Sequence, residues 1–148
     1  MNNIKSDIWE SMASLGRDRI ALNNKIEEIE GKHSKEIDSI FCEFITVLDT
    51  FERAEQIIAE RNLGENEDAN KAIKRLLNAK KKVLFVLEKF GVERIEFPDN
   101  MSVDELCVVT DTEPDSSKPT GEIISIDKPG YKRQGHLIRP AEVVIVKN

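Results

Sequence analysis

The sequence predicts an α+β protein: a long N-terminal coiled-coil helix, a helical hairpin that forms a dimeric four-helix bundle, and a small C-terminal all-β domain. Three observations carry this. The first sixty residues contain no proline and repeat apolar residues at heptad spacing. Two stretches, roughly 37–61 and 68–90, carry apolar bands too wide for one neighbouring helix to cover. After Gly91 the apolar period changes from helical to alternating.

The first helix opens on a seam of Ile8, Met12, Leu15, Arg19, Leu22, Ile26, Ile29 and His33, spaced alternately by four and three residues. The pattern then slips by one residue, to Ile37, Ile40, Phe44 and Leu48, a stutter that locally unwinds a left-handed supercoil. Up to Ile29 the stripe is narrow and flanked by charged and amide residues, which suits burial against a single partner helix. From Ile37 it broadens, because Phe41, Ile45, Val47, Phe51, Ala54, Ile57 and Ile58 join it and cover about half the circumference. The helix is expected to stop near Asn62-Leu63-Gly64, with Gly64 in the left-handed capping conformation. A second helix is expected from Asp68, as N-cap, to Phe90, with Gly91 ending it. Its Ile73, Leu76, Leu77, Val83, Leu84, Val86, Leu87 and Phe90 occupy two adjacent faces.

One short loop makes the two helices antiparallel neighbours. Two helices cannot bury four broad faces between them, so a second copy of the chain completes the bundle. The expected dimer interface comprises Leu22, Ile26, Ile29, Ile40, Phe44, Leu48, Phe51, Ile73, Leu77 and Leu84. The narrow seam would extend beyond the bundle as a paired stalk of roughly 45 Å, at about 1.5 Å per residue. Residues 1–90 thus form the helical region and 91–148 the β domain. The imperfect seam positions Arg19 and His33 suggest a stalk that melts reversibly on warming.

Charge follows the same division. Residues 1–61 carry 8 basic and 13 acidic groups, whereas 67–90 carry 7 basic and 3 acidic, so opposite signs favour packing the helices together. The cluster Lys80-Lys81-Lys82 has no interleaved aromatics and reads as a solvated or intrahelically paired face. With a net charge of −6, the chain lacks the clustered cations that general nucleic-acid or anionic-membrane binding needs. Its start has Asp7 and Glu10 beside Lys5 and no apolar run, unlike a signal or transit peptide. No stretch is long enough to cross a bilayer. Cys42 and Cys107 stand far apart and read as free thiols in a reducing cytoplasm, without a metal or redox role.

Strands are expected at Val92–Glu96, Leu106–Thr110, Glu122–Ile126, His136–Ile138 and Val143–Val146. Turn signals separate them: Pro98-Asp99-Asn100, an acidic loop from Asp111 to Pro119, Lys128-Pro129-Gly130-Tyr131 and Gln134-Gly135. Pro129-Gly130 has the residue order of a type II turn. A catalytic reading would have to combine Cys107 and His136 with Asp104, Asp111 or Asp127. No glycine elbow, metal-ligand spacing or phosphate-cradling loop supports it, so no catalytic residue, metal or cofactor is expected. Trp9 reads as a coil-edge packing residue or a partner anchor.

The most informative segment runs Gly130-Tyr131-Lys132-Arg133-Gln134-Gly135-His136-Leu137-Ile138-Arg139-Pro140-Ala141-Glu142-Val143-Val144-Ile145-Val146. Physically it is a hairpin with two glycine turns, a basic tip and a return strand. As a pattern it resembles the C-terminal signature of the GrpE family, the nucleotide exchange factors of DnaK-type chaperones. Val47-Leu48-Asp49-Thr50-Phe51-Glu52-Arg53-Ala54, Leu87-Glu88-Lys89-Phe90-Gly91-Val92-Glu93 and Pro119-Thr120-Gly121 are similar to that family's further motifs, in the same order. The resemblance covers about residues 37–148. Departures include Asn100-Met101-Ser102-Val103-Asp104-Glu105-Leu106, Pro129 before Gly-Tyr, His136 in place of Arg, Glu142 in place of Met and Thr50 in place of Asn. They suggest a divergent member, and the short N-terminal stretch is expected to leave no room for the disordered leader that members of that family commonly carry before the stalk.

The resemblance implies a parallel homodimer, one of whose β domains enters the ATPase domain of a DnaK-type chaperone and opens its nucleotide cleft. By motif position it implies Tyr131, Lys132, Arg133, His136, Arg139, Glu142 and Ile145 as partner contacts. Tyr131, Arg139 and Ile145 are equally suited to holding the β domain together. The alternative is a coiled-coil adaptor with the same fold and no exchange activity, to which the altered loop Asn100–Leu106 points.

Overall fold

The computed structural model describes residues 2–148, with Asn2 described by its backbone alone. The elements in order are α1 (Asn2–Glu60), α2 (Glu67–Lys89), β1 (Val92–Arg94), β2 (Cys107–Glu113), β3 (Ile123–Lys128), β4 (Tyr131–Arg133), β5 (His136–Arg139) and β6 (Ala141–Val146). The long helix, second helix and C-terminal β region are those expected. The chain divides into two units, one reaching to Ile37 and one running from Asp38 to Asn148. The first is helical throughout its described residues, and its seam residues Ile8, Met12, Leu15, Leu22, Ile26 and Ile29 are exposed, as is Trp9 at 70%. Among the described residues no helix is long and apolar enough to cross a membrane.

Both helix junctions differ from expectation by a few residues. Asn62, not Gly64, takes the left-handed conformation after α1, with φ of 48°. The Leu63 N–H donates to Ile58 O at 3.1 Å and the Asn62 N–H to Ala59 O at 3.4 Å. That bond pair is a Schellman cap, and asparagine enters the left-handed region at low cost. At the start of α2, Asn66 replaces Asp68 as N-cap, its side chain accepting the Asp68 N–H at 2.9 Å. Asp68 is thereby moved into the first turn, where with Glu67 it complements the helix dipole. The other end is as expected: Phe90 caps α2 and Gly91 follows with φ of 75°.

The β region forms two three-stranded sheets. Sheet one has the order β1-β4-β5 and is antiparallel; sheet two has the order β2-β6-β3, with β6 parallel to β2 and antiparallel to β3. β2 continues to Glu113, so Asp111 belongs to a strand and not to the expected acidic loop. Tyr131–Arg133, expected at a turn and basic tip, is strand β4.

Pro129-Gly130 does not make a type II turn, because the glycines with positive φ are Gly91, Gly121 and Gly135. Gly130 answers a different demand. A Cβ there would lie 2.5 Å from Ala141 N and 2.9 Å from Ile95 Cδ1, so only glycine lets the crossing chains approach. The genuine tight turn is Gln134-Gly135, with φ of 50° and 87°, the type I′ geometry that matches strand twist and pairs Arg133 with His136.

Two cores result. One joins Phe41, Ile45 and Leu48 of α1 to Leu87 of α2, Val92 of β1 and Tyr131 of β4. The second holds Cys107, Ile123, Ala141 and Val143 inside sheet two, with Phe97 and Ile145 against it. Lys80 of α2 forms ion pairs with Glu52 and Glu55 of α1, so opposite charges do meet across the helix pair.

Candidate partner-binding site

The β4–β5 hairpin carries five of the seven expected partner contacts, and the remaining two, Glu142 and Ile145, lie on β6. The seven side chains divide sharply by environment. Tyr131 is buried at 3% exposure in the core shared with α1 and α2. Burial, reinforced by the negative charge of Glu52, pushes its hydroxyl above the usual tyrosine range despite Arg94 and Arg139 nearby.

Arg139 makes four hydrogen bonds. Its Nη1 and Nη2 donate to Asp49 Oδ2 and Oδ1 at 2.6 and 2.9 Å, and Nη2 and Nε both donate to Pro129 O, at 2.7 and 3.2 Å. Its guanidinium carbon sits 5.5 Å from the Tyr131 ring centre. Burial favours the uncharged form, but the Asp49 carboxylate outweighs that and raises the guanidinium above its ordinary value.

Arg133 Nε donates to Asp38 Oδ1 at 2.6 Å, and its guanidinium lies 5.8 Å from the Phe41 ring centre. His136 Nε2 lies 2.9 Å from the other oxygen of Asp38. Burial would raise the Asp38 carboxyl, yet the hydrogen bonds from Arg133 and His136 hold it below the usual carboxylate range. Lys132 and Glu142 have only surface pairings, to Glu93 at 3.5 Å and Lys128 at 3.0 Å. His136 keeps nearly half of its side chain exposed. Ile145 is half-buried against the core of sheet two.

The hairpin therefore presents Lys132 outward and leaves His136 half-exposed while paired with Asp38, whereas Tyr131, Arg133 and Arg139 face the chain itself. Sequence reasoning missed the acidic partners. Asp49 lies within the quoted Val47–Ala54 motif and Arg139 within the Arg-Pro-Ala motif, and the two motifs meet in space. A carboxylate inside a wide apolar band was the available signal, since such a group needs a cation when the band is buried. Arg94 of β1 likewise reaches Glu52 at 3.2 Å. Cys107, raised as a nucleophile, is buried and its Sγ donates to Val103 O at 3.1 Å, while Asp127 accepts from Thr110 at 3.1 Å. Among the described residues no cluster of acidic, histidine or cysteine side chains could hold a metal.

The expected dimer residues also separate. Leu22, Ile26, Ile29, Ile40 and Phe44 are exposed and Phe51, Ile73, Leu77 and Leu84 half-buried. Leu48, at 1%, is taken up by the chain's own core because its position on the helix faces Leu87 and Tyr131. Between the helices runs a wholly apolar groove of about 430 Å³ lined by Ile40, Phe41, Phe44, Val83, Val86 and Phe90, with Lys82 at its margin.

Similarity to known proteins agrees with this architecture. The chain is 29% identical over 126 residues to Protein GrpE of Blochmanniella floridana, covering 83% of this chain and 61% of that protein. It is 26% identical over 127 residues to Protein GrpE of Methanosarcina acetivorans, covering 82% and 56%. With the mitochondrial GrpE protein homolog of Neurospora crassa it shares 27% identity over 113 residues, covering 72% and 47%. The chain thus spans about half to three-fifths of the length of these relatives. The GrpE family model matches residues 14–147, through both helices and all six strands, and the chain accordingly belongs to the GrpE family.

Proposed function

We propose that the protein is a co-chaperone that accelerates release of ADP from a DnaK-type chaperone by favouring the open state of its nucleotide-binding cleft. The observation that carries this reading is the family match, which spans the helices together with the hairpin that would touch the chaperone. The protein performs no bond chemistry in this role and needs no cofactor. Two half-buried or buried thiols suit a cytoplasmic setting.

The physics is linkage. A partner that binds the empty, open chaperone better than the closed one weakens nucleotide affinity by the same factor that nucleotide weakens its own binding. A thousandfold effect corresponds to about 4 kcal/mol of differential contact, which a few interface side chains can supply. Lys132, His136 and Glu142, exposed or half-exposed around sheet one and β6, are the groups available for direct contact. The working form is a parallel homodimer. The apolar groove between α1 and α2 supports a second copy there, and the exposed seam from Ile8 to Ile29 supports pairing along α1.

The test is to mix the protein with the DnaK-type chaperone of the same source and time the loss of a fluorescent ADP analogue. Acceleration saturating with added protein is expected. An unchanged off-rate would sink the exchange reading and favour an adaptor that keeps the fold.

A further inference from the structure

Three acidic residues of α1, Asp38, Asp49 and Glu52, fall on one stripe of the helix within about 60° of arc and roughly 21 Å of rise. Each meets an arginine from a different strand of sheet one: Arg133 of β4, Arg139 of β5 and Arg94 of β1. Every strand of that sheet is therefore tied to the same helix by a charged bond, beside the apolar contacts of Phe41, Ile45 and Leu48. This arrangement resists rotation of the sheet about the helix, because turning in either direction stretches at least one of three well-separated bonds.

We infer that these arginines and carboxylates are positioning residues for nucleotide exchange, a clasp that fixes sheet one against α1 so that force on the hairpin is borne by the helix. The inference rests on the proposed exchange activity and gives Arg133 and Arg139 a role distinct from chaperone contact. A factor that opens a cleft must transmit a load. A loosely hinged hairpin would still dock through Lys132 and His136 but would swing away without prising the lobes apart. The clasp therefore governs the maximal acceleration at saturation more than the concentration of factor needed to reach it.

The test uses the full chain with the chaperone and a fluorescent ADP analogue, together with backbone hydrogen exchange of the free protein. The variants are Asp49→Asn, which keeps the side-chain shape, and the reversals Glu52→Arg and Arg94→Glu, singly and combined. Glu52 and Arg94 are partly exposed and lie outside the expected chaperone contacts. Asp49→Asn and each single reversal should lower the maximal exchange rate at least fivefold, with the half-saturating concentration changed less than threefold. The combined reversal should be at least threefold faster than either single reversal, short of full recovery because it does not rebuild the Glu52–Lys80 pair at 4.0 Å. Amide exchange in β1, β4 and β5 should quicken in the single variants and slow again in the combined one. A combined reversal as slow as the worse single would overturn the clasp, as would a loss confined to the half-saturating concentration. If the unaltered protein fails to accelerate release, the functional reading fails on its own, and the amide-exchange arm still decides whether the clasp exists.

Discussion

Removing Arg139 should destabilise the fold through Asp49, and the size of the effect follows from how deeply the pair is set. Their side chains are 20% and 25% exposed, between the exposed pairs that contribute 0 to about 1 kcal/mol and the buried ones whose rupture costs about 3–5 kcal/mol. Arg139→Ala also takes a donor from the Pro129 carbonyl and uncovers one face of Tyr131. Together these give an expected loss of about 3 kcal/mol, against about 2 kcal/mol for Asp49→Ala, which leaves the arginine its Pro129 bond. The double variant should lose about 3 kcal/mol, so the cycle should return a coupling of about 2 kcal/mol. Urea unfolding followed by circular dichroism reads this directly. With a slope of about 2 kcal/mol per molar, Arg139→Ala should move the midpoint down by about 1.5 M. A coupling below about 0.5 kcal/mol would show that the two groups do not act on each other, and the internal assignment of Arg139 would fall.

Gly130→Ala should cost about 3 kcal/mol in the same assay, because the added methyl meets the Ala141 backbone at 2.5 Å and backbone cannot rotate away. Gly16→Ala should do the reverse: no atom lies within 4 Å of the new methyl, and alanine favours a helix over glycine by about 1 kcal/mol, visible as a raised melting temperature. Asp38 has a depressed carboxyl in the folded state, so its contribution is present above the unfolded value of about 3.9 and is lost as pH falls through the lower folded value. Acid titrations should accordingly show Asp38→Asn losing less stability than the parent as pH falls below about 4. Phe44→Asp places a charge in the apolar groove and should leave a monomer in sedimentation velocity at micromolar concentration; an undisturbed dimer would mean the groove is not the interface.

The helices were legible because their signal is local. Period, breaker residues and band width all reside in the segment itself, and the errors were confined to which of Asn62 and Gly64, or Asn66 and Asp68, takes the cap. Both errors share a cause: asparagine supplies a left-handed conformation or a capping oxygen as readily as the glycine or aspartate beside it. The β region was legible as strands but not as sheets. Nothing in β2 announces a parallel partner more than thirty residues ahead, and β4 is too short to show alternation. Gly130 carried a real signal whose meaning was tertiary, since the neighbour that forbids a Cβ is Ala141 on another strand. For the site, the hairpin motif singled out the segment proposed for partner contact. What it could not give was the direction of each side chain: Arg133 reads as a partner contact and Arg139 as either a contact or an internal brace, and only Asp38 and Asp49 across from them show that both turn inward.

The placement of β6 between β2 and β3 also bears on how the protein is made. Neither outer strand pairs with the other; both wait for a segment that leaves the ribosome later. During synthesis, at about 5–20 residues per second, a nascent β2 with its exposed Val108 and Val109 spends seconds with both backbone edges open. Asp111, Glu113 and Asp115 follow those valines at once, and their mutual repulsion discourages stray pairing between neighbouring chains in that interval. A chain so arranged uses charge to discourage stray pairing until its own central strand arrives.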